Sequence, residues 1–420
     1  VSKKNTEPEN SKLSKIFNTE MLSIFVAILI GFIIGSVILI IAGFNPLEVY
    51  SVLIKGIFEK PTSISWTIIN STTIIITGLS VVFAFKTGLF NIGAEGQFII
   101  GSIAASFTGY YLVSVAPLNA LPNFLHPIIV IIAAMIAGGL YGGLVGLFKA
   151  KFGIHEVLSS IMLNWIALHI SNLYIAESGF KKDAAEAVYE VQTSAMIKLF
   201  PELKSTPDGL KQIITWIETN ISNPETQTHL RDLIIRTDVN FGFLIAVAAA
   251  IIVWIILNKT TLGYSLKAVG FNKDAAEFAG IDVNKNMFLS MAIAGALSGL
   301  AGAMYITGTS PHRIDMLAMH DNHGFNGLSV ALIGGVHPIG TIFAGLFYSA
   351  LNFGSTKIQQ DLGAPTEIIN IVIGIVVALI AVKTFLNIKI DFFREKFFAN
   401  KNDSKKVENV SDKNKKAGGK

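Results

Sequence analysis

Residues 87–97 read TGLFNIGAEGQ and lie between two long apolar runs. Asn91, Glu95 and Gln97 are costly in hydrocarbon, and Gly88, Gly93 and Gly96 weaken a continuous helix. A bilayer tolerates such a stretch only where protein buries it or where it lines a wet cavity. The chemistry on offer is hydrogen bonding: two amides and a carboxylate that match hydroxyls and the donor and acceptor edges of a polar solute. A helix starting near Gly93 leaves its first N–H groups free, with Asn91 placed to cap it. Broken helices of this kind build binding sites near the bilayer midplane. The other reading is an interfacial turn, with Glu95 wet and favoured by the helix N-terminus. Asn70, with Ser71, Thr72 and Thr73, and Ser159, Ser160 and Asn164 share the same cavity in the first reading. Each hydroxyl alone also has its own backbone to bond.

The elements that must position these residues follow from composition. The chain has 420 residues, 51% hydrophobic and 15% charged, with mean hydropathy +0.57. A soluble protein carries about 25% charged residues. The charges cluster at both ends and in one central block, which is the pattern of an all-α polytopic membrane protein. The net charge of +4 does not point to nucleic acid, because the basic residues sit in tails and loops, where they set orientation. With no cysteine, disulfides and thiolate metal sites are excluded. Of the histidines, only His320 and His323 are closely spaced, beside Asp321. Without a third ligand or H-E-x-x-H, no metal site is expected. His155-Glu156 reads as a helix terminus, so no catalytic residue and no cofactor is assigned.

Apolar windows long enough to span lie near 21–43, 66–86, 97–116, 127–148, 156–176, 241–258, 287–308 and 366–384. The first is too long for the core of a cleaved signal and reads as a retained helix. The stretch 323–354 is apolar but broken by Gly334-Gly335 and His337-Pro338. Lysines at both ends of the chain place both termini in the cytoplasm. That parity demands an even number of spans, so 323–354 is split at His337-Pro338, giving about ten spans, some short or broken. The resulting organisation is a cytoplasmic tail at 1–20, spans one to five over 21–176, an extracytoplasmic insertion at 177–240, and spans six to ten over 241–384. A basic, partly disordered cytoplasmic tail follows at 385–420. The insertion reads either as a small helical cap, with Ile213, Ile214, Trp216, Leu230 and Ile234 at helical spacing, or as a poorly ordered loop. The rows Gly138/Gly142/Gly146 and Gly295/Gly299 read as helix-packing seams.

The cytoplasmic loop 259–286 carries the other distinctive segment. Asn272 or Asp274 caps a short helix over 274–279, and Gly280 ends it in a left-handed conformation. Phe278 and Ile281 then lie exposed. Two readings stand: a docking element for a partner, or a loop folded back on the bundle.

Four segments, GLFNIGAEGQF at 88–98, HEVLSSIMLNWIA at 155–167, KAVGFNKDAAEFAGI at 267–281 and GFNGLSVALIGGVHPIGTIFAGL at 324–346, together resemble the permease subunits of ABC importers. The branch is that of ribose, branched-chain amino acid and nucleoside systems, and the similarity is closest to nucleoside-type permeases. It covers about 65–385 in the family order. The resemblance implies about ten spans in a bacterial plasma membrane, and alternating access driven by ATP hydrolysis on a separate ATP-binding subunit. It also implies an external substrate-binding lipoprotein and a second permease subunit, two different chains being favoured over a homodimer. It makes Asp274, Ala275, Ala276, Glu277, Phe278 and Gly280 the segment that docks on the ATPase. The sequence agrees with that division of labour: its only Gly-Lys pair is Gly419-Lys420, so it offers no P-loop. The expected pathway residues are Asn91, Glu95, Gln97, Asn164, Asn70 and Ser160. The competing reading is an ion-coupled secondary transporter, against which stands the scarcity of acids near span interiors.

Overall fold

The computed structural model describes residues 26–382 apart from Ala116, Ser178, Ala184, Phe200, Ser205 and Ala381. The expected tails at 1–20 and 385–420 lie outside the described residues. The first helices are α1 (Val26–Ile41), α2 (Pro46–Phe58), α3 (Pro61–Phe85), α4 (Ala94–Tyr110), α5 (Leu125–Phe152) and α6 (Glu156–Glu177). Three short ones follow: α7 (Pro201–Lys204), α8 (Pro207–Asn220) and α9 (Pro224–Arg236). The rest are α10 (Gly242–Lys259), α11 (Thr261–Phe271), α12 (Lys273–Phe278), α13 (Val283–Gly308), α14 (His323–Ile333), α15 (Gly340–Leu362) and α16 (Thr366–Ile380). Among the described residues the only extended pairings are three isolated bridges.

Five helices, α3, α5, α6, α10 and α13, are long and apolar enough to cross a membrane, or six spans if α1 and α2 count as one broken span. Each of the ten apolar windows falls on a helix: α1, α3, α4, α5, α6, α10, α13, α14, α15 and α16. Over the described residues α1, α4, α14 and α16 are short, α4 with 17 residues and α14 with 11. The stretch 323–354 does break, between Ile333 and Gly340. Gly335 and Val336 adopt positive φ of 65° and 53° there, which no helix continues through.

The chain forms two compact units. In one, which joins residues up to Gly43 with those from Ile371, Gly31 lies so close to Val376 that a Cβ would sit 2.9 Å from its Cα. The other, Phe44–Asn370, holds the core. There α3 is buried along Ile74–Ala84, as a helix apolar on all sides must be. Helices α5 and α10 instead expose Ile132, Ile136, Leu140, Leu244, Ile251 and Ile252, a surface suited to lipid. The glycine rows form one seam between α5 and α13. A Cβ on Gly138 would lie 2.5 Å from the Gly295 carbonyl oxygen, and one on Gly142 the same distance from that of Met291. Only hydrogen at these positions permits so close an approach.

The block 177–240 carries α7, α8 and α9, so its second half is helical. Thr206 and Asn223 cap α8 and α9 with their side chains. Ile213 and Ile217 are buried, while Trp216 is exposed. Its first half is an extended strap. Met316 donates to Glu186 O, Val188 to Ile314 O, Val191 to His312 O and Ile197 to Thr307 O, so the strap is laced to the segment after α13. On the opposite flank, α12 spans Lys273–Phe278 and is capped by Asn272, whose side chain accepts from the Ala275 N–H at 3.0 Å. Gly280 follows at φ 81°.

Candidate functional site

The segment 87–97 runs from the break between α3 and α4 into the first turn of α4, packed inside the bundle. Asn91, Glu95 and Gln97 are fully buried, so the interfacial-turn reading of Glu95 is corrected: the bundle closes over the carboxylate. Its Oε1 accepts the Asn322 N–H at 3.0 Å; its Oε2 accepts those of Gly324 at 2.5 Å and Phe325 at 3.3 Å. These are the first amides of α14, whose N-cap residue Asn322 supplies no side-chain cap of its own. Glu95 therefore caps α14 from another helix and places its charge at the positive end of the α14 dipole. A Cβ on Gly324 would lie 2.2 Å from the Glu95 nitrogen, so glycine alone fits at that contact.

The amides are spoken for as well. Asn91 donates to Gln97 Oε1 at 2.8 Å and Gln97 donates back to Asn91 Oδ1 at 3.0 Å. Asn91 also donates to Ser80, which donates to the Ala294 carbonyl of α13. The expectation that Asn91 caps α4 is corrected: Gly93 holds the cap position without a side-chain bond, because the Asn91 amide is taken by Gln97. Asn164 accepts the Gly96 N–H at 2.9 Å and donates to Ile92 O at 3.0 Å. Ser160 is buried beside Gly93, and its Oγ has no hydrogen-bond partner among the described residues. These bonds join α3, α4, α6 and α13 around the break.

The depth of the break follows from α3. Thr77 donates to the His323 carbonyl at 3.1 Å. It stands about 24 Å along α3 from Pro61 and about 12 Å from Phe85, at 1.5 Å per residue. The N-termini of α4 and α14 thus meet in the interior of the bundle, away from both ends of α3.

Two cavities adjoin this junction. The larger, of about 340 Å³, lies among α3, α13, α14 and α15, and is lined by Asn70, Tyr305, Asp321 and Asn326 among others. The smaller, of about 90 Å³, is lined by Glu95, Phe98, Tyr305, Arg313 and Asp321. Tyr305 and Asp321 border both. Only the larger falls in the range of about 300–1,000 Å³ usual for small-molecule sites. Of the six expected pathway residues, Asn70 alone lines it.

On the loop 259–286, Phe271 and Phe278 are 90% and 96% exposed, whereas Ala276 is buried. Ile281, expected to be exposed, packs beside Val269, Ala276 and Met287 instead. The two readings of this loop combine: one face folds back on the bundle and the other offers two aromatic rings to solvent.

The family model for the permease component of the branched-chain amino acid transport system matches residues 63–381. The chain belongs to this family. It is 35% identical to the guanosine ABC transporter permease protein NupP of Bacillus subtilis, over 85% of this chain and 91% of that protein. The nucleoside ABC transporter permease protein NupB of Lactococcus lactis is 34% identical, over 86% and 91%. The glucose ABC transporter permease protein TsgB13 of Haloferax volcanii is 24% identical, over 88% of each chain. No solved structure matches. As a permease component the chain is the membrane part of an ABC transporter, and ATP hydrolysis belongs to a separate subunit.

In this permease, sequence reasoning missed Tyr305, Asn326 and Asn352 as cavity residues and weighed Asp321 only as a metal ligand. The signal for Asp321 was present: a carboxylate two residues before an apolar half-helix is costly unless it faces water. Nothing comparable marks Asn326 or Asn352, because the fold alone brings α14 and α15 against α3.

Proposed function

We propose that this permease imports nucleosides. The observation that carries the proposal is its 35% identity, over 85% of its length, to a permease whose name specifies guanosine. It works with an ATP-binding subunit, an external substrate-binding lipoprotein and a second, different permease subunit in a bacterial plasma membrane. Ten spans cross that membrane with both termini in the cytoplasm. The block 177–240 lies outside and the loop 259–286 inside. Asp274, Ala275, Ala276, Glu277, Phe278 and Gly280 form the element that receives the ATPase, and the exposure of Phe271 and Phe278 supports this.

Asn70 faces the pathway directly. Asn91, Glu95, Gln97, Asn164 and Ser160 form the wall behind it, and their bonds to α14 and α13 hold that wall rigid. The test is uptake of tritiated guanosine into right-side-out proteoliposomes bearing the full importer, with the binding lipoprotein outside and ATP sealed inside at the ATPase face. Solute captured by the binding lipoprotein must enter proteoliposomes only with ATP. Glucose entry without nucleoside entry would give the substrate to the sugar class, and entry driven by an ion gradient without ATP would give the mechanism to secondary transport.

A further inference from the structure

The amides of 87–97 are closed on one another, whereas those of the larger cavity are open. Asn70 and Asn352 line it, and among the described residues neither side-chain amide has a hydrogen-bond partner. Asn326 accepts the Tyr348 hydroxyl on Oδ1 at 2.8 Å, which leaves its two N–H groups free. Asp321 is about half exposed, and its one ion-pair partner among the described residues is His323, 3.4 Å from Oδ2. Among those residues Oδ1 has no hydrogen-bond partner. No lysine or arginine lines the cavity, so an anionic or phosphorylated solute would meet a carboxylate and no fixed cation. A carboxylate with vacant lone pairs suits adjacent hydroxyls, since each oxygen accepts one O–H. The amides supply donors and acceptors for what remains of the solute, and Phe353 on the cavity wall supplies an apolar ring face.

We propose that this cavity recognises the vicinal diol of a neutral ring-bearing solute, the ribose of a nucleoside or a free pentose, with Asp321 accepting the two hydroxyls and Asn70 and Asn352 reading the remainder. The inference rests on the importer reading of the previous subsection and adds a recognition site within the permease itself. Selection is then repeated after the binding lipoprotein has released its cargo. The site is shallow in charge and open on one side, as moderate affinity requires, because tight binding would stall onward release.

The absence of native cysteine makes the test direct. In membranes carrying the complete importer, Asn70→Cys and Asn352→Cys are each treated with a small polar thiol reagent, and the modification rate of this chain is followed. Both thiols should react, and guanosine at about ten times its Kd should slow the reaction about tenfold, because about nine-tenths of the sites are then occupied. Deoxyguanosine lacking the 2′-hydroxyl should protect far less, and adding Asp321→Asn should remove the protection. Ribose protecting as well as guanosine would keep the diol site and make a pentose its ligand. Thiols that fail to react, equal protection by the deoxy compound, or no protection by guanosine or ribose would overturn the proposal. Wild-type uptake of guanosine, measured in the same preparation, separates the outcomes: uptake without protection sinks this site alone, and absence of ATP-driven uptake sinks the nucleoside reading.

Discussion

At the scale of single residues, Glu95 does something different from an exposed pathway acid. Its two oxygens take three amides of α14, of which that of Gly324 is buried, so removing the carboxylate strands that donor and frees two partly exposed ones. A stranded buried donor costs about 1–3 kcal/mol, and Glu95→Ala should lower stability by roughly that amount. Glu95→Gln keeps one acceptor but turns an NH2 toward backbone donors, and it should also lose thermal stability. Melting of the purified importer decides this: a Gln variant that melts like wild type yet fails to transport would make Glu95 a solute contact instead of a cap. His312 offers a second test, on the segment after α13. It is buried against Lys198, and burial first, then that lysine, pushes its imidazole down to about 4. Asp238, 3.8 Å from Nε2, and Glu190 act in the opposite direction without overcoming these. Above the unfolded value of 6.5 both states are neutral and nothing is lost. As pH falls from there toward 4, only the unfolded chain takes the proton, so folded stability declines across that window. His312→Gln should flatten the decline in melting temperature between pH 7 and pH 5.

At the scale of elements, legibility followed the hydrophobic pattern. Ten apolar windows fell on ten helices, and the break at Gly334-Gly335 and His337-Pro338 was readable because the breakers are local. The helix at 273–278 was readable for the same reason: Asn272 and Gly280 are its own cap and stop. What lay beyond the sequence was every partnership between helices. That Glu95 caps α14, or that Asn91 prefers Gln97 to the first turn of α4, depends on packing across long sequence separations. The extended strap at 186–199 was equally hidden, since its bonds go to residues 307–316, Gly109 and Val239. The fate of Ile281 turned on packing as well, whereas Phe278 stays outside. That asymmetry gives α12 its test. Phe278→Ala removes an exposed ring and should leave melting within about 0.5 kcal/mol of wild type, while the ATPase subunit co-purifies less well. Asn272→Ala should cost about 1 kcal/mol at the cap and weaken co-purification through fraying of α12. Full retention of the ATPase by the Phe278 variant would show that this face docks nothing.

At the scale of the whole molecule, the decisive quantity is sidedness. Five helices satisfy a strict test of length and apolarity, yet charge parity asks for ten crossings. The difference lies in five elements that the test does not accept singly: α1, α4, α14 and α16 are too short over the described residues, and α15 carries polar residues along the cavity. Short helices meeting inside a bundle are tolerated because their free amides are satisfied there, as Glu95 satisfies those of α14. A helix break stitched shut by side chains is therefore compatible with the ten crossings we propose. The two exposed flanks must then face opposite compartments. Glu218 on α8 and Lys273 on α12 are both exposed, and the cysteine-free background allows each to be replaced singly. With a membrane-impermeant maleimide, Glu218→Cys should label in intact cells. Lys273→Cys should label only after the membrane is opened. Labelling of both from one side would break the parity, leave an odd number of crossings between α8 and α12 impossible, and return α10 to the bundle as a helix that does not cross.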